Sequence, residues 1–132
     1  AYLQFSGALA KGSFGPKLRE AVALAVGQAN RCEYCVSAHT LLGKKAGLSD
    51  DEVSAARGGE SSDPRTAAVL RLAMAINNNK GFAKNEDLAA ARAAGLSEAD
   101  VVETIGVVSL NVFTNYFNHV ADPQIDFPVV KL

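Results

Sequence analysis

The sequence lacks the features by which membrane-spanning and nucleic-acid-binding proteins are recognised. Its longest unbroken apolar run, Ala21–Val26, is far shorter than the roughly 20 residues that a helix needs to cross a bilayer. The formal net charge is -1 and the 13 basic residues are scattered, so the concentrated positive charge that nucleic acid or an anionic membrane surface requires is missing. We therefore expect neither a membrane nor nucleic acid as a partner.

Cysteine is also rare, with two residues, Cys32 and Cys35. Two cysteines do not make the multiple-disulfide framework of small secreted proteins, and a bridge between such close neighbours would stabilise the fold little. The opening segment, Ala1–Ala10, has neither the basic end nor the long apolar stretch of a secretory signal. We expect a cytoplasmic protein in which the cysteine pair serves chemistry rather than structure.

Proline is scarce, with four residues, and apolar side chains recur at three- and four-residue spacing instead of alternating. These features predict an all-α protein, and 132 residues suit one domain, over residues 1–132, around a single core. Pro123 and Pro128 favour an extended tail after the last helix. Capping residues and glycines place the predicted helices at Tyr2–Ala10, Pro16–Ala29, Cys32–Gly47, Ser49–Arg57, Pro64–Asn77, Glu86–Ala94 and Glu98–Val120.

One capping pattern occurs twice, at Ala46–Val53 and at Ala94–Val101. In each copy a glycine is expected to end one helix in the left-handed conformation, and a serine with an acidic residue three positions later is expected to cap the next helix. Two corners built alike explain the recurrence as well as a duplicated helix pair does, and we favour the former.

The last predicted helix carries few charges, and hydrophobic residues make up 48% of the chain. Such a helix presents more apolar surface than one small domain is expected to leave in water, which predicts a partner chain. The side chains on which this prediction rests are Val101, Val102, Ile105, Val108, Val112 and Phe113.

The most specific feature is a C-x-x-C motif followed by histidine, Cys32-Glu33-Tyr34-Cys35-Val36-Ser37-Ala38-His39. At the start of a helix, Cys32 and Cys35 would share one face, and His39 would lie one turn beyond Cys35. The partial positive charge of a helix N-terminus favours thiolate, the nucleophilic form of cysteine. Two thiols at this separation can also form a disulfide with small adjustments. The motif thus indicates a redox-active dithiol.

The same motif allows other interpretations. A thioredoxin-type site needs a preceding strand, whereas both flanks are helical, and a c-type haem site needs histidine where Val36 stands. A zinc site would use both cysteines, His39 and a fourth ligand such as His119 or Glu20, but no second ligand pair lies at finger-like spacing. Buried cysteines that only pack are a further alternative. We favour redox chemistry and expect no bound metal.

Glu20 is unusual because it directly precedes the apolar run on a helix that is predicted to be buried nearly all round. Such a carboxylate either faces solvent beside Arg19 in the first turn, where the helix dipole favours it, or serves a functional site. Its position alone leaves both interpretations open.

The order and spacing of Glu20, the C-x-x-C pair and His39 resemble the core motif of AhpD-like alkylhydroperoxidases in the carboxymuconolactone decarboxylase superfamily. The resemblance is strongest over Pro16–Gly47, and the segments Asn115–His119 and Ile125–Pro128 are similar to related members. Members without the cysteine pair include the true decarboxylases, so the pair favours the thiol-peroxidase branch.

The resemblance implies thiol-dependent reduction of a hydroperoxide, or of an electrophilic disulfide in the same place. Glu20 would orient His39, His39 would take the proton from Cys35, and Cys35 would attack before Cys32 closes the disulfide. We assign attack to Cys35 because His39 lies one turn away, while Cys32 is expected to be better exposed to a reductant; the opposite assignment stays open. The best-known hydroperoxidases carry a second histidine at the position of Tyr34, so a shorter or weaker proton relay is expected.

The resemblance further implies an all-α homo-oligomer, trimeric or hexameric, that needs no cofactor and has its site near subunit contacts. It implies a dithiol reductant of the lipoyl or thioredoxin-like kind. His119, near a helix end beside asparagines, is expected to be structural. The alternative functions are a non-catalytic redox-sensing or zinc-holding module and a lactone decarboxylase of the same superfamily.

Overall fold

The computed structural model, which describes residues 1–132, has no strand and consists of seven α-helices. They are α1 (Tyr2–Leu9), α2 (Pro16–Ala29), α3 (Glu33–Lys45), α4 (Asp50–Arg57), α5 (Pro64–Asn78), α6 (Asn85–Ala93) and α7 (Glu98–Ala121). An irregular tail without helix or strand follows α7 to Leu132. The prediction of an all-α fold is confirmed, and the predicted helix ends differ from the observed ones by no more than two residues.

Helix α2 lies at the centre of the fold, where it contacts α3, α4, α5 and α7. Pro16 occupies its first turn, where the fixed φ of proline suits a helix and its missing N–H costs nothing. Every residue from Ala21 to Gly27 is buried. This part of α2 carries small and branched apolar residues on all its sides, so other helices can pack against it all round. The hydrophobic core therefore forms around α2, and α2 supports α3, the helix that carries the cysteines.

The two predicted helix corners have the expected geometry. Gly47 and Gly95 adopt positive φ angles of 101° and 88°, a conformation that glycine adopts without the steric cost of a Cβ. Ser49 caps α4 and Ser97 caps α7, and each forms a capping box with the acidic residue three positions later. The prediction from the repeated pattern is confirmed at both places.

The start of α7 is held by a buried carboxylate. Asp100 accepts hydrogen bonds from the Ser97 N–H and hydroxyl at 2.8 and 2.9 Å and pairs with Arg65 at 2.7 Å. Burial alone would raise the pKa of Asp100, but these contacts outweigh it and lower the pKa from its ordinary value of 3.8 to about 2. One turn later, Glu103 accepts hydrogen bonds from the backbone N–H groups of Ser13 and Phe14, which fixes the α1–α2 loop against α7.

The apolar residues predicted to face outward on α7 divide between the core and the surface. The expectation is wrong for Val101 and Val108, which are buried in this chain's own core because they lie on the side of α7 that faces α2 and α5. Val102, Ile105 and Phe113 are exposed, as predicted. No helix in the structure, α7 included, combines the length and the apolar character of a membrane span.

Candidate active site

The two cysteines lie at the junction of α2 and α3. Arg31 adopts a left-handed conformation with φ 57°, which turns the chain out of α2, and Cys32 is the N-cap of α3. The Cys32 sulfur accepts a hydrogen bond from the Cys35 N–H at 3.2 Å. A cysteine sulfur therefore caps this helix in the way that a serine hydroxyl caps others. Cys32 and Cys35 form a disulfide, with their Cα atoms 5.2 Å apart.

Both sulfur-bearing residues are buried, and the expected difference in exposure is wrong. Cys32 is 1% exposed and Cys35 is 3% exposed, so Cys32 is not the more accessible of the two. The reason is the cap: the Cys32 side chain folds back over the first turn of α3 and lies beneath the surface. Of the two cysteines, Cys35 lines the neighbouring cavity.

Glu20 on α2 and His39 on α3 are brought together across the two helices. The distance from Glu20 Oε2 to His39 Nδ1 is 2.7 Å, and the side chains are only 21% and 19% exposed. Glu20 therefore does not lie on the solvent-facing side of its helix. The contact occupies Nδ1 of His39 and leaves Nε2 free of protein hydrogen bonds. The ring makes no hydrogen bond to either sulfur.

Asn118 on α7 is a site residue that sequence reasoning missed. Its Nδ2 lies 3.3 Å from the Cys35 sulfur and 3.9 Å from the Cys32 sulfur. A signal was available, because Asn111, Asn115 and Asn118 recur at helical spacing in an otherwise apolar helix. Asn111 and Asn115 are buried, and they mark the face of α7 that turns towards α2 and the cysteines.

A cavity of about 490 Å³ opens beside Cys35. Its walls are mostly aromatic and aliphatic, and no Lys, Arg, Asp or Glu side chain lines it. The lining residues are Tyr2, Tyr34, Cys35, Ala38, His39, Leu42, Phe113, Thr114, Phe117, Asn118 and Phe127. Such a site suits a molecule with an apolar body and a polar reactive end.

Tyr34 connects α3 to the C-terminal tail. Its hydroxyl donates to Asp126 Oδ1 at 2.8 Å, and its ring contacts Phe127 edge-on with centroids 5.6 Å apart. The hydrogen bond to Asp126, together with burial and the charge of that carboxylate, raises the pKa of Tyr34 above its ordinary value of 10.0. Further along, the Val130 N–H donates to the Ser37 hydroxyl at 2.9 Å, so the tail crosses α3.

The structure does not assemble the ligands that the zinc interpretation requires. No group of three or more His, Cys, Asp or Glu side chains lies in an arrangement that would hold a metal ion. His119 is exposed near the end of α7 and does not line the cavity.

The fold and the site together define an AhpD-like helical protein: a central helix, a C-x-x-C pair at the start of the next helix, and a carboxylate–imidazole pair beside it. The model of the carboxymuconolactone decarboxylase family matches residues 1–76, more than half of the chain. The chain therefore belongs to the carboxymuconolactone decarboxylase family. No curated protein is a significant match to it.

Solved structures with the same fold include two bacterial peroxidase-related proteins of uncharacterised function. The protein from Silicibacter sp. TM1040 has a TM-score of 0.82 at 18% identity over 93% of this chain and 67% of its own. The protein from Ralstonia eutropha JMP134, described as an alkylhydroperoxidase AhpD core, has a TM-score of 0.77 at 22% identity over 98% of this chain and 68% of its own.

A third structure of this fold is a cysteine-to-alanine variant of the debrominase Bmp8 in complex with 2,3,4-tribromopyrrole. Its TM-score is 0.81 at 20% identity, over 95% of this chain and 68% of its own. The chain thus spans about two thirds of each of these proteins, and the likeness establishes a shared fold.

Proposed function

We propose that the protein is a thiol-dependent peroxidase that reduces organic hydroperoxides by cycling Cys32 and Cys35 between dithiol and disulfide. The observation that carries this proposal is the disulfide whose Cys35 borders an apolar cavity, with His39 in the cavity wall and Glu20 hydrogen-bonded to His39. A dithiol supplies two electrons, which is the number that reduction of one peroxide bond consumes.

In the first half of the cycle, the Cys35 thiol loses its proton to Nε2 of His39, directly or through a water in the cavity. Glu20, bonded to Nδ1, places a carboxylate beside the ring, where its negative charge lies next to the positive charge that the ring carries during proton transfer. The Cys35 thiolate attacks one oxygen of the hydroperoxide, and the oxygen–oxygen bond breaks. Cys35 becomes a sulfenic acid, and the alkoxide leaves as an alcohol with the proton from His39.

In the second half, the Cys32 thiol attacks the sulfenic sulfur of Cys35 and water leaves, which gives the disulfide. An external dithiol then reduces it by thiol–disulfide exchange. Because both cysteines are almost fully buried, a slender dithiol that enters the cavity, such as a dihydrolipoyl arm, suits this step better than the surface of a folded protein.

The proposal is tested by measuring cumene hydroperoxide consumption with dihydrolipoamide as reductant. The native protein should turn over repeatedly, while Cys35→Ser should be inactive. Cys32→Ser, mixed with the peroxide before any reductant is added, should consume about one equivalent and stop at a sulfenic acid that dimedone traps, since the resolving thiol is missing. No consumption by the native protein would contradict the proposal, and trapping on Cys32 in a Cys35→Ser variant would reverse the assignment of the attacking cysteine.

A second candidate is reductive dehalogenation of a small aromatic ring. Phenylalanine side chains form much of the cavity wall, and one structure of the same fold is a debrominase in complex with a brominated pyrrole. The dithiol would supply two electrons, so the halide would leave, a hydrogen would take its place and the disulfide would form. Halide release from a bromopyrrole, measured beside peroxide consumption, separates the two activities. An activity towards lactones that survives both cysteine substitutions would instead indicate decarboxylation.

A further inference from the structure

We propose that Asn118 is a catalytic residue of the dithiol site: its side-chain amide donates a hydrogen bond that stabilises negative charge on the Cys35 sulfur. This inference rests on the proposed function, in which Cys35 is the attacking thiolate. It assigns to α7 a part in the chemistry that neither the C-x-x-C motif nor the Glu20–His39 pair supplies.

The hydrogen-bond pattern around the sulfurs singles out this amide. The backbone N–H of Cys35 points to the Cys32 sulfur at 3.2 Å. The His39 ring is hydrogen-bonded to Glu20 and makes no hydrogen bond to either sulfur. Asn118 Nδ2, at 3.3 Å, is thus the group that donates to the Cys35 sulfur. A sulfur in a disulfide or a thiolate only accepts hydrogen bonds, so the NH₂ end of the amide must be the end that faces it.

Neighbouring asparagines fix Asn118 relative to the cysteines. Asn115, one turn earlier on α7, accepts a hydrogen bond from Asn30 Nδ2 at 2.9 Å. Asn30 is the C-cap of α2 and lies two residues before Cys32, so this bond ties α7 to the loop that positions the dithiol. Asn30 Nδ2 also donates to Asn77 on α5. These bonds hold the part of α7 that carries Asn118 beside the dithiol before the reaction begins, and such prior placement of a donor is what electrostatic stabilisation requires.

A neutral amide donor has a different effect from the Glu20–His39 pair. It does not ionise near neutral pH, so it lowers the energy of the thiolate without taking up or releasing a proton. Stabilisation increases the thiolate fraction but makes each thiolate slightly less nucleophilic. The net effect is faster reaction at pH values below the midpoint of thiol ionisation and slower reaction above it.

The test uses Cys35 alone, in a Cys32→Ser background, because serine preserves an N-cap acceptor for α3. The rate of reaction with the neutral disulfide dithiodipyridine is measured against pH. In Asn118→Leu the midpoint should rise by about one pH unit, which means about tenfold less thiolate at low pH. Because nucleophilicity rises with basicity, the rate should fall about threefold below both midpoints and should rise about threefold above them.

Two further variants make the result decisive. Asn118→Asp should raise the midpoint more than leucine does, because it replaces a donor with a like charge. His119→Leu, at the next and exposed position of α7, should leave the midpoint unchanged. An unchanged midpoint in Asn118→Leu overturns the inference; if that variant does not fold, Asn118→Ala, which also removes the donor, decides in the same way.

The failure of the inference and the failure of the proposed function are distinguishable. The dithiodipyridine profile reports on the ionisation of Cys35 and needs no peroxide turnover. If the native protein does not consume hydroperoxide, the proposed function fails whatever the midpoint does. If the native protein is active but the midpoint does not move in Asn118→Leu, the inference alone fails.

Discussion

Glu20 and His39 hold each other at 2.7 Å in a half-buried position, and this contact leaves one ring nitrogen for proton transfer. Glu20→Gln preserves the size of the side chain and an oxygen that can accept from Nδ1, but it removes the charge that favours the imidazolium. We expect peroxidase turnover to fall about 10- to 100-fold while the helical spectrum stays the same. Steady-state kinetics and far-ultraviolet circular dichroism measure the two effects. Glu86→Gln, on the exposed surface of α6, is the matched control.

The same pair gives a prediction about additivity. His39→Ala should reduce turnover at least as much as Glu20→Gln, since it removes the group that carries the proton. The double variant should be little worse than the more damaging single variant, because groups that act as one unit are not additive. Losses that multiply in the double variant would show instead that the two side chains act independently.

At the scale of the helix, the start of α7 depends on the ionised carboxylate of Asp100. Its pKa of about 2 lies below the ordinary value of 3.8, so its contribution to the free energy of unfolding is complete above about pH 4. That contribution is lost as the pH falls from about 4 to 2, where the native carboxylate takes up a proton. Asp100→Asn should therefore cost about 2 kcal/mol at pH 7.

Urea unfolding between pH 7 and pH 2 measures this effect. The Asn variant should lose less further stability below pH 4 than the native protein does, because the group that titrates there is missing. Asp51→Asn removes an exposed acidic residue from the first turn of α4 and serves as the control. It should change the free energy of unfolding little. Equal acid sensitivity of the native protein and Asp100→Asn would contradict the prediction.

The C-terminal tail is attached to α3 through Tyr34. Tyr34→Phe retains the edge contact with Phe127 but removes the hydrogen bond to Asp126, which should weaken the attachment by about 1 kcal/mol. The amide of Val130, which donates to the Ser37 hydroxyl, should then exchange its hydrogen faster in deuterated water. Tyr116→Phe, at an exposed position of α7, should leave that exchange unchanged.

Local signals in the sequence were sufficient to predict the helices. The features that the sequence did not predict depend on contacts between residues far apart in the chain. Proline at the first turn of α2, glycines at the corners and serine–acid caps act within a few residues, so they can be recognised in one sequence. The Asn118–Cys35 contact joins residues 83 positions apart, and the Tyr34–Asp126 contact joins residues 92 positions apart. The spacing of the motif was enough to single out Glu20 and His39, which are in contact. The burial of Cys32 could not be predicted in this way, because it depends on how the side chain caps α3.

For the whole molecule, the exposed apolar side chains of α1 and α7 predict self-association. Large hydrophobic side chains are exposed on both helices, among them Leu3 of α1 at 79% and Val102 of α7 at 68% exposure. Burial of such a surface against another copy removes apolar area from water. Sedimentation velocity at micromolar concentration should therefore show an oligomer, and a clean monomer would contradict the prediction. Ile105→Lys should dissociate it, while Ala89→Lys on the exposed side of α6 should not.

The two walls of the cavity come from different parts of the chain. Cys35 and His39 lie within residues 1–76, which match the family model, whereas Phe113, Phe117 and Phe127 lie beyond them. Apart from the amide of Asn118, the later part supplies shape and apolar surface. Under the proposed function, substitutions at Phe113, Phe117 and Phe127 should therefore change which substrate the cavity accepts while the dithiol, its cap and its proton acceptor stay intact.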